Sequence, residues 1–327
     1  MKKILVTGAD GFIGSHITET LLKNGLDVTA FCLYNSFGTR GWLDTLPEVL
    51  LKNATVVMGN ICDANTLTKA IKGCDTVIHL AAQVSIPYSY EATSLFVDTN
   101  IKGTLNVLEA ARTAQVNHIL VASSSEVYGT ALHVPINERH PLQPQSPYAA
   151  TKIAADALAT SFYKSFGLPV TIFRPFNTYG PRQSARAVIP AVITQLLAGT
   201  KTLKLGNLKP TRDFLYIEDT VAAILKIAAQ PTLAGQTFNI CSGTEISIKE
   251  LATQLIQKIK PDTQLLEDAQ RLRPENSEVY RLYGDASFLK TKTNWKPVYD
   301  LDKGLDKTVQ WFSKPENSNR YSKRFEI

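Results

Sequence analysis

The chain is poor in the residues that build metal centres and covalent cross-links. Its 327 residues include four cysteines, Cys32, Cys62, Cys74 and Cys241, and five histidines. No cysteine pair has C-x-x-C spacing. Neither a zinc site nor a disulfide framework is expected, and the thiols read as buried or indifferent groups in a reducing cytosol. Long apolar runs are also missing. The first run, Ile4-Leu5-Val6, leads straight into Thr7-Gly8 and is too short for a signal peptide. No stretch approaches the roughly 18 apolar residues of a membrane span. A cytoplasmic protein is the expectation. Concentrated basic charge is absent too. The net charge of +6 is spread along the chain, which speaks against nucleic acid and suits small anionic ligands equally well.

What is present is an ordinary globular balance, 44% hydrophobic and 20% charged residues, which excludes disordered, collagen-like and coiled-coil classes. The length predicts one large α/β domain or two smaller ones. Short apolar runs at 4–7, 28–33, 55–58, 76–80, 119–122 and 170–173 read as buried strands. Helical stretches at 12–24, 64–72, 97–114 and 148–166 lie between them. This alternation predicts a doubly wound parallel sheet with helices on both faces. Beyond about residue 175 the alternation loosens into a smaller region that covers the substrate and returns at least one segment to the sheet. The expected division is 1–175 plus about 211–240 against 176–210 plus about 241–327. The polar tail, 314–327, is expected to be loosely held.

Gly8-Ala9-Asp10-Gly11-Phe12-Ile13-Gly14 is a G-x-x-G-x-x-G loop placed after the first strand and opening the first helix. Glycine permits the tight turn, backbone N–H groups approach a diphosphate, and the helix start adds partial positive charge. The strand–loop–helix context makes the dinucleotide reading strong. The acidic residue that meets the adenosine ribose in NAD proteins is missing from Ala30-Phe31-Cys32-Leu33-Tyr34-Asn35. Arg40 stands close enough in sequence to meet a 2′-phosphate, and Asn60, Ile61 and Asp63 are alternative adenosine contacts. Further along, Tyr148-Ala149-Ala150-Thr151-Lys152 is Y-x-x-x-K, which on a helix puts the ammonium beside the phenol. The expected result is a lowered tyrosine pKa and a usable base. Ser123-Ser124-Ser125-Glu126-Val127-Tyr128-Gly129 follows a buried strand, at the sheet edge where such folds bind ligands.

Together with Arg174-Pro175-Phe176-Asn177-Thr178-Tyr179-Gly180-Pro181-Arg182, these motifs resemble the extended short-chain dehydrogenase/reductase family that acts on nucleotide sugars, across nearly the whole chain. More narrowly, Tyr34-Asn35-Ser36-Phe37, Trp42-Leu43-Asp44, the stretches 86–90 and 183–190, Pro210-Thr211-Arg212-Asp213-Phe214 and Arg271-Leu272-Arg273-Pro274-Glu275-Asn276-Ser277-Glu278 resemble the NAD-dependent N-acetylglucosamine-nucleotide 4,6-dehydratases of legionaminic acid-type pathways. The resemblance implies a Rossmann sheet with a smaller α/β substrate region, NAD as cofactor, a nucleotide-sugar substrate carried by UDP or GDP, and a homodimer joined through helices 97–114 and 148–166.

It also implies a three-step reaction. Tyr148, held by Lys152, takes the C4 hydroxyl proton while hydride leaves C4. Glu126 removes the C5 proton as water departs from C6. Hydride then returns to C6. Ser124 hydrogen-bonds the C4 oxygen. Gly8, Asp10, Gly11, Phe12, Ile13, Gly14, Asn60, Ile61, Leu80, Ala81, Ala82, Gln83, Asn100, Ser123, Tyr148, Lys152 and Pro175 fall at cofactor positions. Ser85, Ser124, Asn177, Arg186, Val188, Arg212 and Arg273 fall at substrate positions, with the two latter arginines on the diphosphate. One position departs: glucose-type 4,6-dehydratases carry an aspartic acid where this chain has Ser125, a poor general acid and the residue found in nucleotide-glucuronate decarboxylases. Decarboxylation of a nucleotide-uronate and 4-epimerisation therefore remain open, as does a non-catalytic NAD-binding scaffold.

Overall fold

The computed structural model describes residues 1–321. Its centre is a seven-stranded sheet, entirely parallel. Six strands, β1 (Lys3–Thr7), β2 (Asp27–Leu33), β3 (Ala54–Gly59), β4 (Thr76–His79), β5 (His118–Ala122) and β6 (Val170–Pro175), stand where the apolar runs predict them. A seventh, Thr237–Ile240, returns late in the chain and pairs with β6 through Phe238 opposite Phe173. The spatial order is seventh–β6–β5–β4–β1–β2–β3. The order reverses beside β1, which pairs with both β2 (Ile4 opposite Val28) and β4 (Ile4 opposite Thr76). Ligands in such sheets sit at the carboxyl ends of the strands at this reversal. Every residue of β4 is buried, as helices on both faces require.

Local chemistry sets the helix limits. The first helix, Phe12–Lys23, starts from the glycine loop and ends at Gly25, whose φ of +71° closes it. The helix Pro147–Phe166 has Ser146 accepting from the Ala149 N–H, proline at its first position and Gly167 in the left-handed region at its end. The expected helix 97–114 departs from plan. Val97–Gly103 winds as a π-helix and only Thr104–Thr113 is α-helical. The wider turn places Asn100 inward, where it is buried.

Three small sheets build the remaining wall of the cleft. Asn177–Tyr179 pairs with Phe214–Tyr216, Thr211–Arg212 lies between Ile246–Ser247 and Arg281–Leu282, and Thr202–Leu205 pairs with Gln264–Glu267. The tail corrects an expectation. Most of 314–320 is exposed, but Tyr321 packs its ring on Trp42 and Phe312 and donates from its hydroxyl to the Gln183 carbonyl at 2.9 Å. Burying that ring outweighs the polar composition around it. The rest of the tail lies outside the described residues. Among the described residues no helix is long and apolar enough to cross a membrane, and no cluster of His, Cys, Asp and Glu could hold a metal ion.

Candidate active site

The glycine loop fits a dinucleotide because its geometry leaves no room for side chains. A Cβ on Gly14 would lie 2.0 Å from the Gly8 carbonyl oxygen. Gly8 itself has φ of +69°, and a Cβ there would meet the Ala81 nitrogen at 2.8 Å. Two loops thus close on one another at the reversal point, the glycine loop after β1 and the Leu80–Ala81–Ala82–Gln83 turn after β4. Thr7 pins the second: its hydroxyl accepts from the Leu80 and Ala81 N–H groups, both at 3.2 Å. Asn100 holds the same turn, accepting from the Gln83 N–H at 2.8 Å and donating to the Gln83 carbonyl at 3.1 Å and to Thr151 at 3.0 Å. The π-turn therefore ties the cofactor turn to the helix bearing Tyr148 and Lys152.

Around the expected adenosine end the side chains are mostly committed. Asn60 accepts from the Cys62 N–H, and Asp63 caps a helix by accepting from Asn65 and Thr66. Ile61 is buried, and its carbonyl accepts from Asn106. Arg40 does not stand free for a 2′-phosphate: its Nε donates to Asp44 at 2.7 Å, and Glu48 lies 3.6 Å from the guanidinium.

Tyr148 and Lys152 lie on the buried face of their helix. Lys152 Nζ donates to the Ala122 carbonyl at 2.5 Å, at the end of β5. Ser124 is hydrogen-bonded to the Tyr148 phenol. The expected lowering of the tyrosine pKa is not what this environment produces. Burial pushes the phenol up to about 12, opposed by the Ser124 hydrogen bond. Lys152, one helical turn on, turns its ammonium to the Ala122 carbonyl. Burial pushes the lysine down to about 8, with Asp156 acting in the other direction. Ser125 is buried, in the short 3-10 turn Ser125–Tyr128.

Beside this couple opens a cavity of about 490 Å³. Glu126, Ser85, Asn177, Arg186, Val188, Arg212 and Arg273 line it, so the structure brings these residues of both halves together. Ser124, assigned to both catalysis and substrate, faces Tyr148 and is not part of the lining. Ser85 holds a strained φ of +128° while capping the helix Ile86–Glu91. The two arginines flank Glu278, at 3.6 Å from Arg212 and 3.7 Å from Arg273. Burial lowers the Arg212 pKa, and Glu126 opposes that. Three polar atoms here are buried with no hydrogen-bond partner: Asn177 Oδ1, Gln183 Oε1 and Arg273 NH1. Unmet donors and acceptors gathered in one cleft are the signature of a polar ligand.

Sequence reasoning passed over Thr7, Gln183 and Glu278. Gln183 opens the quoted stretch 183–190 and Glu278 ends the quoted stretch 271–278, so both were within reach. Thr7 carries no signal beyond its place before the glycine loop.

Comparison with known proteins agrees with this geometry. The family described as GDP-mannose 4,6 dehydratase matches residues 5–308. The dTDP-glucose 4,6-dehydratase of Streptomyces griseus is 35% identical over 314 residues, covering 95% of this chain and 94% of the relative. A putative UDP-glucose 4-epimerase of Methanocaldococcus jannaschii is 33% identical over 322 residues, covering 97% and 99%. The crystal structure of the dTDP-glucose 4,6-dehydratase DesIV of Streptomyces venezuelae, with NAD and TYD bound, superposes with a TM-score of 0.88 at 30% identity, covering 98% of this chain and 99% of that one. The chain belongs to the GDP-mannose 4,6 dehydratase family, the NAD-dependent nucleotide-sugar dehydratases of the extended short-chain dehydrogenase/reductase type.

Proposed function

We propose that this enzyme dehydrates an N-acetylglucosamine carried on UDP or GDP to its 4-keto-6-deoxy sugar. One observation carries the substrate reading. The stretches 86–90, 183–190, 210–214 and 271–278, on which the resemblance to the N-acetylglucosamine-type enzymes rests, all contribute to the lining of the cavity beside Tyr148 and Glu126. In this reading residues 1–175 with about 211–240 hold the cofactor, and 176–210 with about 241–327 hold the nucleotide sugar.

NAD, seated on the glycine loop and the turn after β4, supplies the hydride acceptor and donor. The chain's own groups move the protons. Tyr148 would receive the C4 hydroxyl proton as its phenolate, a form that burial disfavours in the free protein, that the Ser124 hydroxyl favours, and that the positive charge of oxidised NAD would favour further. The oxidised C4 acidifies the C5–H, Glu126, at the cleft wall, removes that proton, and the C6 hydroxyl, protonated from solvent, leaves as water; hydride return to C6 and proton return to C5 would complete the product. Arg212 and Arg273 hold the diphosphate, Asn177 meets its sugar-proximal phosphate, and Arg186 and Val188 lie farther along the cleft.

Ser125 favours a second reading, decarboxylation of a nucleotide-uronate. Incubation with UDP- and GDP-N-acetylglucosamine and with UDP-glucuronate, followed by mass spectrometry, separates them. Loss of water from a hexosamine nucleotide supports dehydration. Loss of carbon dioxide from the uronate, with the hexosamines untouched, replaces it with the second reading. The proposal extends to a cytoplasmic homodimer, in which a second copy covers Val97, Tyr163 and Phe166, exposed on the expected helices, and Leu95 just before the first of them. A monomer by light scattering removes that part.

A further inference from the structure

Gln183 reaches the cleft with three of its four polar groups already engaged. Its backbone N–H donates to the Gly180 carbonyl at 3.3 Å. Its backbone carbonyl accepts from the Tyr321 hydroxyl at 2.9 Å. Its side-chain nitrogen donates to the Thr178 carbonyl at 2.8 Å. A carbonyl only accepts, so the side-chain amide cannot be turned the other way, and Oε1 is fixed as the remaining group. That oxygen is buried with no hydrogen-bond partner among the described residues, and Gln183 lines the cavity of about 490 Å³. A buried acceptor left unpaired is costly in the free protein. A donor arriving in the cavity removes that cost.

The segment around Gln183 is anchored from two directions. On one side stands the first helix, Phe12–Lys23, which opens from the glycine loop. His16 Nε2 lies 3.0 Å from the Pro181 carbonyl. Arg182 donates from NH2 to Glu19 at 2.6 Å and from NH1 to the Ser15 hydroxyl at 3.4 Å. It does so from a left-handed φ of +70°, a conformation that a residue other than glycine keeps only where its surroundings hold it. On the other side stands Tyr321. Its ring packs on Trp42, Trp311 and Phe312, with centroids 5.9, 6.4 and 5.0 Å away. Trp42 in turn donates from its backbone N–H to the Asp10 carbonyl of the glycine loop at 3.0 Å. Both anchors lead back to the cofactor loop, while the residue they hold lines the other cleft.

We infer that Gln183 is a substrate-binding residue whose Oε1 accepts a hydrogen bond from the nucleotide sugar, and that Tyr321 is the positioning residue that holds it for that contact. The chemistry of the donor is restricted. A diphosphate at neutral pH offers acceptors, so the partner is a hydroxyl or an N–H of the nucleoside or of the sugar. The inference rests on the reading of the cleft as the nucleotide-sugar site, and on no choice among nucleotide sugars.

The test is calorimetry on the full chain. Wild type, Gln183→Met and Tyr321→Phe are titrated with NAD, with UDP, GDP and dTDP, and with UDP-N-acetylglucosamine, GDP-N-acetylglucosamine and dTDP-glucose. Methionine keeps the length of glutamine without its amide. Gln183→Met is expected to weaken nucleotide-sugar binding about three- to tenfold, the range of one neutral hydrogen bond, and to leave NAD affinity within about twofold. Tyr321→Phe keeps the ring on its aromatic neighbours and loses only the hydroxyl, so it shifts affinity the same way by about two- to threefold. In turnover both variants raise KM and leave kcat near wild type. A loss shared by the bare nucleoside diphosphate places the donor on the nucleoside, and a loss confined to the nucleotide sugar places it on the sugar. A lower melting temperature with every nucleotide affinity unmoved makes Gln183 structural and overturns the assignment, as does a loss of NAD affinity alone. Wild-type affinity and KM in Tyr321→Phe remove Tyr321 from its role. If Gln183→Met does not fold, Gln183→Asn, whose amide is one methylene short, is judged by the same criteria. A wild type that binds dTDP-glucose and neither N-acetylglucosamine nucleotide counts against the proposed substrate and leaves the Gln183 comparison standing. Binding of none of them overturns both.

Discussion

Lys152→Met should make the protein more stable while abolishing its oxidation step. Methionine fills a similar volume without a charge. The ammonium is buried with its pKa pushed from 10.5 to about 8, so folding works against its charged form. At 1.36 kcal/mol per pH unit, that displacement corresponds to about 3 kcal/mol. The substitution also strips the Ala122 carbonyl of its donor, which costs about 1 kcal/mol. Asp156 keeps Arg174, so no charge is left alone. The net expectation is about 2 kcal/mol in favour of the variant at neutral pH. The sign has a pH signature. Below about pH 8 both native and unfolded chains carry the lysine proton, and the native state bears the whole cost. Between about pH 8 and 10.5 the native chain sheds the proton first, the unfolded state binds more protons, and wild-type stability gains on the variant. Urea unfolding of both proteins at neutral and alkaline pH measures the gap. A variant less stable than wild type at neutral pH, or a gap that does not close on the alkaline side, refutes the reasoning.

Gly14→Ala should cost NAD affinity by a factor of 100 or more, on the order of 3 kcal/mol, because its Cβ would sit against backbone that cannot yield; calorimetric NAD titration unchanged from wild type would exclude this. Gly11→Ala, whose Cβ would lie 3.3 Å from the same oxygen, should leave the melting temperature within a few degrees of wild type, which a thermal scan checks. Glu126→Gln should stall after the first oxidation and accumulate reduced-nicotinamide absorbance. Full turnover in that variant removes Glu126 from its role. Arg212→Ala should raise KM by a factor of 10 to 100, roughly 1.5–3 kcal/mol for a lost charge-assisted contact, and also release Glu278; an unmoved KM argues against a diphosphate there.

The sheet was legible because parallel strands buried on both faces must be short unbroken apolar runs, and 4–7, 76–80 and 119–122 are nothing else. The glycine loop was legible for a steric reason that the structure makes explicit at Gly8 and Gly14. Less visible was the winding of 97–103. The choice between α and π turns depends on where Asn100 must reach, which is a tertiary demand absent from the local pattern. Composition misses the docking of the tail because it averages over residues, whereas one ring, Tyr321, packs on nearby Phe312 and on Trp42, which is far away in sequence. The tyrosine pKa was misjudged for a related reason. Spacing places Lys152 near Tyr148 but says nothing of how deeply both are buried or of the Ala122 carbonyl that claims the ammonium.

The cleft explains why a buried carboxylate between Arg212 and Arg273 is compatible with the anion binding proposed for them. Arg212 and Arg273 both approach Glu278 at distances beyond good hydrogen-bond contact, and Arg273 NH1 is left with no acceptor. One carboxylate thus orients two guanidiniums without saturating their donors. Without it, two like charges would repel each other across a site where burial already lowers the Arg212 pKa. With it, the pair keeps a net positive charge and free N–H groups for a diphosphate that accepts bidentate contacts. Glu278→Gln should therefore raise affinity for a nucleoside diphosphate by adding net positive charge, yet lower turnover as the two arginines lose their common anchor. Calorimetry with UDP and GDP against steady-state rates measures both. Affinity falling together with turnover would mean that Glu278 holds the site open rather than tuning its charge.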